Sequence, residues 1–266
     1  MRLIELSAAH HPDLERALTA EPVHHLLLLA RMSRLGRDPG VAFWALAGGR
    51  GYGAVLAQDG GDWFLANPGR ADLYPFAGIV AGRGGVRLRG EAEAVNALAR
   101  HLRSAIGAGH ACLVVRLGGE NLPEGVAHGA AAKITRPGQA LDPADLWSPG
   151  EPGARSLLLR GLAGGGRAAI VPAGERTAAV AWTEAEYGRG AAIGGVYTAP
   201  AFRRLGFGRA ALWSLCRALL ADGLAPQLAY DCPRMGRLAG ELGFTPYGRW
   251  RELDLCAPQS AQEPEI

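Results

Sequence analysis

Lysine is almost missing from this chain. Of 28 basic residues in a total of 266, only Lys133 is a lysine, and 39 positions are glycine. That pattern is a compositional bias. It sets no net field, because the formal charge is only +3, with 15 basic and 12 acidic groups over residues 1–140 and 13 of each over residues 141–266. No run of arginines stands out, so binding to nucleic-acid phosphates is not expected. Cysteine is scarce as well. Cys112, Cys216, Cys232 and Cys256 form no C-x-x-C pair, and their spacing fits neither a zinc site nor a disulfide framework. All seven histidines lie at or before His128, so no Cys/His cluster can be read and no metal is expected. The four thiols are expected reduced and mostly buried, in a cytoplasmic setting. The opening Met-Arg-Leu-Ile-Glu-Leu carries no signal-peptide pattern. Apolar runs such as Leu26–Ala30 are far too short to span a bilayer, so no membrane partner is expected.

What is present suits a globular protein: 48% apolar and 20% charged residues, with length for one large or two small domains. In the first half a strand at residues 3–6 is followed by helical patterns from Ser7 to Thr19 and from Pro22 to Leu35, the latter closed by Gly36. His24 and His25 are adjacent and so face different sides of a helix. Strand patterns follow at Phe43–Ala47, Gly53–Gln58 and Trp63–Ala66. Tyr74–Ala81 is apolar, and Gly82-Arg83-Gly84-Gly85 leads from it into a short strand, Val86–Arg89. Glu91–Ile106 reads as an amphipathic helix and Cys112–Leu117 as a buried strand. Residues 118–153 are rich in Gly and Pro, which places a domain boundary near 140. Ala130–Thr135 is a possible strand inside that region.

In the second half, short helices are expected at Pro143–Trp147 and Arg155–Leu162. Ala168–Val171, Thr177–Glu184 and Ala191–Thr198 read as antiparallel strands joined by glycine turns. Gln227–Tyr230 is the next strand, which the resemblance described below extends to Gln227–Asp231. Arg234–Leu242 is a helix stopped by Gly243. Phe244–Tyr247 and Arg249–Leu255 complete the sheet, and residues 256–266 form a tail.

One stretch organises this half: Ile193 to Arg209. An apolar strand ends near Thr198, where Pro200 cannot extend a ladder. Arg203-Arg204-Leu205-Gly206-Phe207-Gly208-Arg209 then opens a helix. Its stripe is Leu212, Leu215, Cys216 and Leu219, and Gly223 ends it. A helix start leaves N–H groups without intrahelical partners and carries the positive end of the dipole. Glycines let a ligand approach the backbone, and Arg203, Arg204 and Arg209 add positive charge. The stretch is a candidate phosphate site.

The order of elements and this motif resemble the GNAT superfamily of acyl-CoA-dependent N-acyltransferases, whose signature is Gln/Arg-x-x-Gly-x-Gly/Ala. Arg203-Arg204-Leu205-Gly206-Phe207-Gly208 fits it. The upstream Val196-Tyr197-Thr198-Ala199-Pro200 and the downstream Leu242-Gly243-Phe244 segment are similar to the family's as well. The resemblance covers residues 141–255. It implies an α+β fold of two tandem GNAT-like domains, each a mostly antiparallel mixed sheet flanked by helices: a diverged domain over 1–140 without a cofactor motif, and an acetyl-CoA-binding catalytic domain over 141–266.

It further implies that the pyrophosphate of acetyl-CoA sits on the backbone of Arg204 to Arg209, with Arg203 beside it. The pantetheine arm would pair with Val196, Tyr197 and Thr198, where the family's fourth and fifth strands splay. The acetyl group would pass to the amine of a small molecule or peptide by direct attack in a ternary complex, on a monomer or homodimer. The first half would bind no acetyl-CoA and would shape the substrate side. In place of the signature it has Ala81-Gly82-Arg83-Gly84-Gly85.

One departure concerns catalysis. Many members carry a Tyr four residues before the Gly of the Gly-Phe segment, as proton donor to the leaving thiolate; here that position is Ala239. Asp231 and Cys232 are substitutes to be tested, and Tyr230 and Tyr247 do not match the position. A strand N–H near Val196 could face the oxyanion. Glu184, with Glu186 beside it, is the acid available as general base.

Two other readings stand. Gly206-Phe207-Gly208-Arg209-Ala210-Ala211 also matches G-x-G-x-x-G/A, with Asp231 placed where a dinucleotide oxidoreductase holds a ribose. That fold would need parallel crossovers before the motif. The other reading is a non-catalytic acyl-CoA-binding regulatory module.

Overall fold

The computed structural model describes residues 1–49, 51–102, 106–125, 132–135 and 152–256. From the N-terminus the elements are β1 (Arg2–Glu5), α1 (His11–Leu18), α2 (Pro22–Met32), β2 (Val41–Gly48), β3 (Gly51–Asp59), β4 (Asp62–Ala66), α3 (Tyr74–Arg83), β5 (Arg87–Glu91), α4 (Ala92–Leu102) and β6 (Ile106–Arg116). They continue with β7 (Lys133–Ile134), α5 (Pro152–Ala163), β8 (Ala168–Ala173), β9 (Arg176–Tyr187), β10 (Gly190–Thr198), α6 (Phe207–Ala221), β11 (Ala225–Tyr230), α7 (Pro233–Glu241) and β12 (Thr245–Leu255). Two compact units result: Met1–Leu113 together with Gly248–Ile266, and Val114–Tyr247. The expected break near 140 is therefore displaced, and the C-terminal segment belongs to the first unit.

In the first unit the strand order is β1-β2-β3-β4-β5-β12-β6. The pairs β1–β2, β2–β3, β3–β4 and β5–β12 are antiparallel, and β4–β5 is parallel across α3. One core joins Trp44, Leu56, Trp63, Phe76, Leu88, Leu98 and Leu253. Leu253 lies on β12 and pairs with Leu88, so the C-terminal strand is an integral part of this core.

The sequence pattern splits β12 at Gly248 into two strands, whereas the chain continues straight through. Glycine is required there for another reason: a Cβ on Gly248 would lie 2.2 Å from Cε1 of the His24 ring on α2. The helix α3 also escaped the pattern. Its apolar residues are not confined to one face, so no 3.6-residue period shows, although Phe76, Ala77 and Val80 are buried. The helix expected over Glu91–Ile106 ends at Leu102, and Ile106 already begins β6.

In the second unit the order β11-β10-β9-β8-β7 has antiparallel β7–β8, β8–β9 and β9–β10 pairs and a parallel β10–β11 pair. This is the hairpin-built arrangement read from the sequence. The faces of the sheet alternate with the strand period of two. On one, Leu158 of α5 packs with Ile170, Val180, Trp182 and Tyr197. On the other, α6 buries Ala211, Leu212, Leu215, Cys216 and Leu219, the stripe expected from its spacing. Burial raises the Cys216 thiol to about 12, which keeps it protonated. Cys112 is buried as expected, whereas Cys232 and Cys256 are exposed. The short helix expected at Pro143–Trp147 and the tail beyond residue 256 lie outside the described residues, as does the first part of the Ala130–Thr135 strand.

Candidate active site

The site is built where β10 ends and α6 begins. A short helical turn, Pro200–Phe202, follows β10. Arg203 Nε then donates to the Thr198 carbonyl at 3.1 Å, tying the loop back to the strand end. Arg204 has φ +65°, a left-handed conformation uncommon for a residue with a side chain. Gly206 follows with φ +85° and is the N-cap of α6, offering no side-chain cap to the helix amides. Two left-handed residues in three positions thus fold the loop tightly onto an α6 start that has no side-chain hydrogen bond from its N-cap. Residues 203–206 are all exposed. Phe202 and Phe207 meet edge to face at 5.5 Å between ring centroids and brace the loop from both ends.

Gly208 lies in the first turn of α6, and a Cβ there would stand 2.6 Å from Thr198 Oγ1 and 3.7 Å from Val196 Cγ1. The glycine therefore lets the helix start sit directly on the strand end. Arg209 reaches the other way. Its Nη1 lies 3.4 Å from Glu241 Oε2 at the end of α7.

The β10–β11 register supplies the second feature. It pairs Gly190↔Ala225, Ala191↔Pro226, Ala192↔Gln227 and Ile193↔Leu228, and among the described residues it goes no further, although β10 runs on to Thr198 and β11 to Tyr230. The pairing thus ends five residues before β10 does. On its other edge β10 stays paired, with Val196↔Ala181, Tyr197↔Val180 and Thr198↔Ala179. The register shifts around Gly194, which marks a bulge. Val196, Tyr197 and Thr198 lie beyond the β11 pairing, with Tyr197 buried and the other two half-buried.

Gly194 and Gly195 were not singled out from the sequence. A Cβ on Gly194 would approach Trp182 Nε1 to 2.7 Å and Glu184 Cβ to 2.9 Å, and one on Gly195 would approach the Trp182 ring to 2.5 Å. The indole of β9 lies flat against this part of β10, and only glycine leaves room. A Gly-Gly pair inside a strand was the available signal, since it marks a bulge or a close approach.

The acidic residues separate by environment. Glu184 is half-buried on β9 and shares the Gly194 face with Trp182. Glu186 is occupied: Arg167 Nε and Nη2 donate to its two oxygens at 3.0 and 2.8 Å, and Thr183 Oγ1 donates at 2.8 Å. Arg167 Nη1 also pairs with Asp222, the C-cap of α6. This is a structural clamp. Asp231 falls outside the strand expected to contain it and is exposed, and Cys232 is the exposed N-cap of α7. Ala239 is buried in α7.

The matching place in the first unit is the loop after β4, residues 67–73, and not the Ala81–Gly85 segment picked from the sequence, which closes α3 instead. That loop satisfies itself. Asn67 Oδ1 accepts from the Ala71 N–H at 2.8 Å, Asn67 Nδ2 donates to the Ala71 carbonyl at 3.1 Å, and Asp72 Oδ1 accepts from the Tyr74 N–H at 3.1 Å. Pro75 removes a further N–H from the start of α3. A Cβ on Gly90 of β5 would fall 2.4 Å from the Leu65 carbonyl, so β4 and β5 stay in close register to Leu65↔Gly90.

The second unit thus combines a hairpin-built sheet, a parallel pair whose register ends early, and a helix opened by glycine. Residues 144–244, which lie within that unit, match the acetyltransferase (GNAT) family. Solved structures similar to the chain include a tandem GNAT protein from the clavulanic acid biosynthesis pathway, at 15% identity and TM-score 0.61 over 95% of this chain and 97% of that one. A Drosophila protein matches at 14% identity and TM-score 0.70, covering 97% and 99%. A GCN5-related N-acetyltransferase from Kribbella flavida matches at 15% identity and TM-score 0.55, covering 94% and 95%. At these identities the likeness is one of fold, and it spans both units. No curated protein matches the chain.

Proposed function

We propose that the second unit is an acetyl-CoA-dependent N-acetyltransferase acting on a primary amine of a small molecule or peptide, by direct attack in a ternary complex. The observation that carries this reading is the glycine-opened α6 start over Arg203–Arg209, without a side-chain cap from Gly206, following a β10 whose pairing to β11 ends at Ile193. The α6 start, which Gly208 lets sit against Thr198, is a cradle of the kind that takes a pyrophosphate. The backbone from Arg204 to Arg209 would hold that group, with Arg203 and Arg204 adding charge. Val196, Tyr197 and Thr198 would line the pantetheine arm. When bound, acetyl-CoA supplies an activated thioester. Glu184, half-buried on β9 beside Gly194, would take the amine proton, directly or through water. A β10 N–H near Val196 would face the developing oxyanion. Asp231 and Cys232 stand in solvent and are the less suited of the candidate groups.

The first unit would bind no acetyl-CoA, a reading supported by the self-satisfied 67–73 loop and by Asp72 at the α3 start. The antiparallel β9–β10 hairpin before the motif argues against dinucleotide chemistry. The test is a screen of amine acceptors with thiol detection of released CoA. Release with an amine is expected. Binding of acetyl-CoA without release across a broad panel would favour a regulatory binding module instead, and binding of a nicotinamide dinucleotide in its place would overturn the assignment.

A further inference from the structure

The proposed reaction, on which this inference rests, needs a seat for the acyl group of the thioester. The thioester arm would run from the α6 start past Thr198, Tyr197 and Val196 in that order, along the part of β10 that lies beyond the β11 pairing. An acyl tail beyond the carbonyl then points toward Gly195 and Gly194. Trp182 stands there. It pairs with Gly195 across the β9–β10 ladder. A Cβ on Gly195 would come within 2.5 Å of its Cη2 and Cζ2, and one on Gly194 within 2.7 Å of its Nε1. From α5, a Cβ on Gly161 would lie 3.2 Å from its Cδ1. Three glycines from two elements thus make room for one indole, which also packs with Leu158, Ile170 and Val180. Glycine inside a strand weakens it, since it packs nothing and loses more entropy on folding. Two in succession beside the largest side chain of the sheet are explained if the position of that ring matters. Trp182 is 3% exposed, so it offers no open ring face to an acceptor arriving from solvent and serves as a wall. Glu184 Cβ would stand 2.9 Å from the same Gly194 Cβ, which brings the wall and the proposed base to one point of β10.

We infer that Trp182 sets the length of the acyl chain, closing the site beyond an acetyl group. The acetyl methyl ends against the indole. A longer tail has to displace a buried ring, and closely packed interiors do not yield that room without cost. A smaller side chain at 182 leaves the space beside Gly194 and Gly195 empty, and its walls are then the apolar side chains of Leu158, Ile170 and Val180.

The test uses the full chain with acetyl-CoA, butyryl-CoA and CoA. Affinities are measured by calorimetry and taken relative to CoA, which has no acyl group. The wild type should bind acetyl-CoA at least about tenfold more tightly than butyryl-CoA, the low end of what one misfitting methylene costs in a closed pocket. Trp182→Leu and Trp182→Ala should abolish or invert that preference, the alanine variant more strongly. With an acceptor that turns over, the ratio of kcat/KM for the two donors should move in the same sense. A tryptophan that only fills the core would lower the melting temperature of the variants and leave the ratio unchanged, and that result would overturn the assignment. So would a wild type that takes butyryl-CoA as readily as acetyl-CoA, a measurement that needs no variant to fold. In both cases CoA is still bound and the proposed function stands. Absence of CoA and acetyl-CoA binding by the wild type would instead remove the proposed function and this inference with it.

Discussion

Arg204 shows how backbone and charge combine at one residue. Its φ of +65° is a conformation in which glycine is relaxed, so Arg204→Gly removes the guanidinium without straining the loop. Acetyl-CoA affinity by calorimetry is expected to fall roughly ten- to hundredfold, about 1.5–3 kcal/mol for a hydrogen bond to a charged group, with thermal stability retained. Glu186 should behave in the opposite way. Its side chain and that of Arg167 are 13% and 11% exposed, so Glu186→Gln leaves a nearly buried guanidinium poorly paired. A loss of about 3 kcal/mol in denaturant unfolding is expected. The arginine-glycine motif was readable because its parts are consecutive. The pairing of Glu186 was not, because its partner Arg167 is remote in sequence and meets it only through the folded sheet.

Among the elements, α6 was the most legible. Its apolar stripe repeats at helical spacing and its ends carry glycine signals, and the observed helix buries that stripe. Its contact with β10 adds a test. Gly208→Ala places a methyl against Thr198 Oγ1, and overpacking of this kind should lower stability by about 1–3 kcal/mol in a thermal melt. Removing the hydroxyl as well, in Gly208→Ala with Thr198→Ala, should recover most of the loss. The helix α2 carries a pH effect. Burial holds His25 below its ordinary value of 6.5, against the opposing hydrogen bond from its Nδ1 to the Leu18 carbonyl. The unfolded chain therefore binds a proton more readily than the folded one. The contribution of neutral His25 is full above about pH 6.5 and is lost as pH falls toward its depressed value. Denaturant midpoints should drop over that window, and His25→Gln should flatten the drop. The helix α3 was illegible for the converse of the α6 reason, since a helix apolar around most of its surface shows no period.

For the whole molecule, chain order and unit membership diverge. A linear reading puts the last strand with the last domain, because short connections usually join neighbours. Here Gly248 onward belongs to the first unit, where Arg89 Nε donates to Glu252 Oε1 at 2.9 Å and Leu253 enters the core. Nothing local in residues 248–255 distinguishes one sheet from the other, so only the folded chain could show this. The tandem α+β architecture itself was legible, because each unit repeats the same order of hairpin strands, helix, parallel strand and helix.

The central claim is a single acetyl-CoA site on the α6 start of the second unit. The most direct test is a calorimetric titration of the intact chain with acetyl-CoA, repeated on Gly208→Glu, which puts bulk and negative charge into the cradle. One site per chain, lost in Gly208→Glu, is the expected result. Two sites per chain, or a single site that survives Gly208→Glu, would contradict the account.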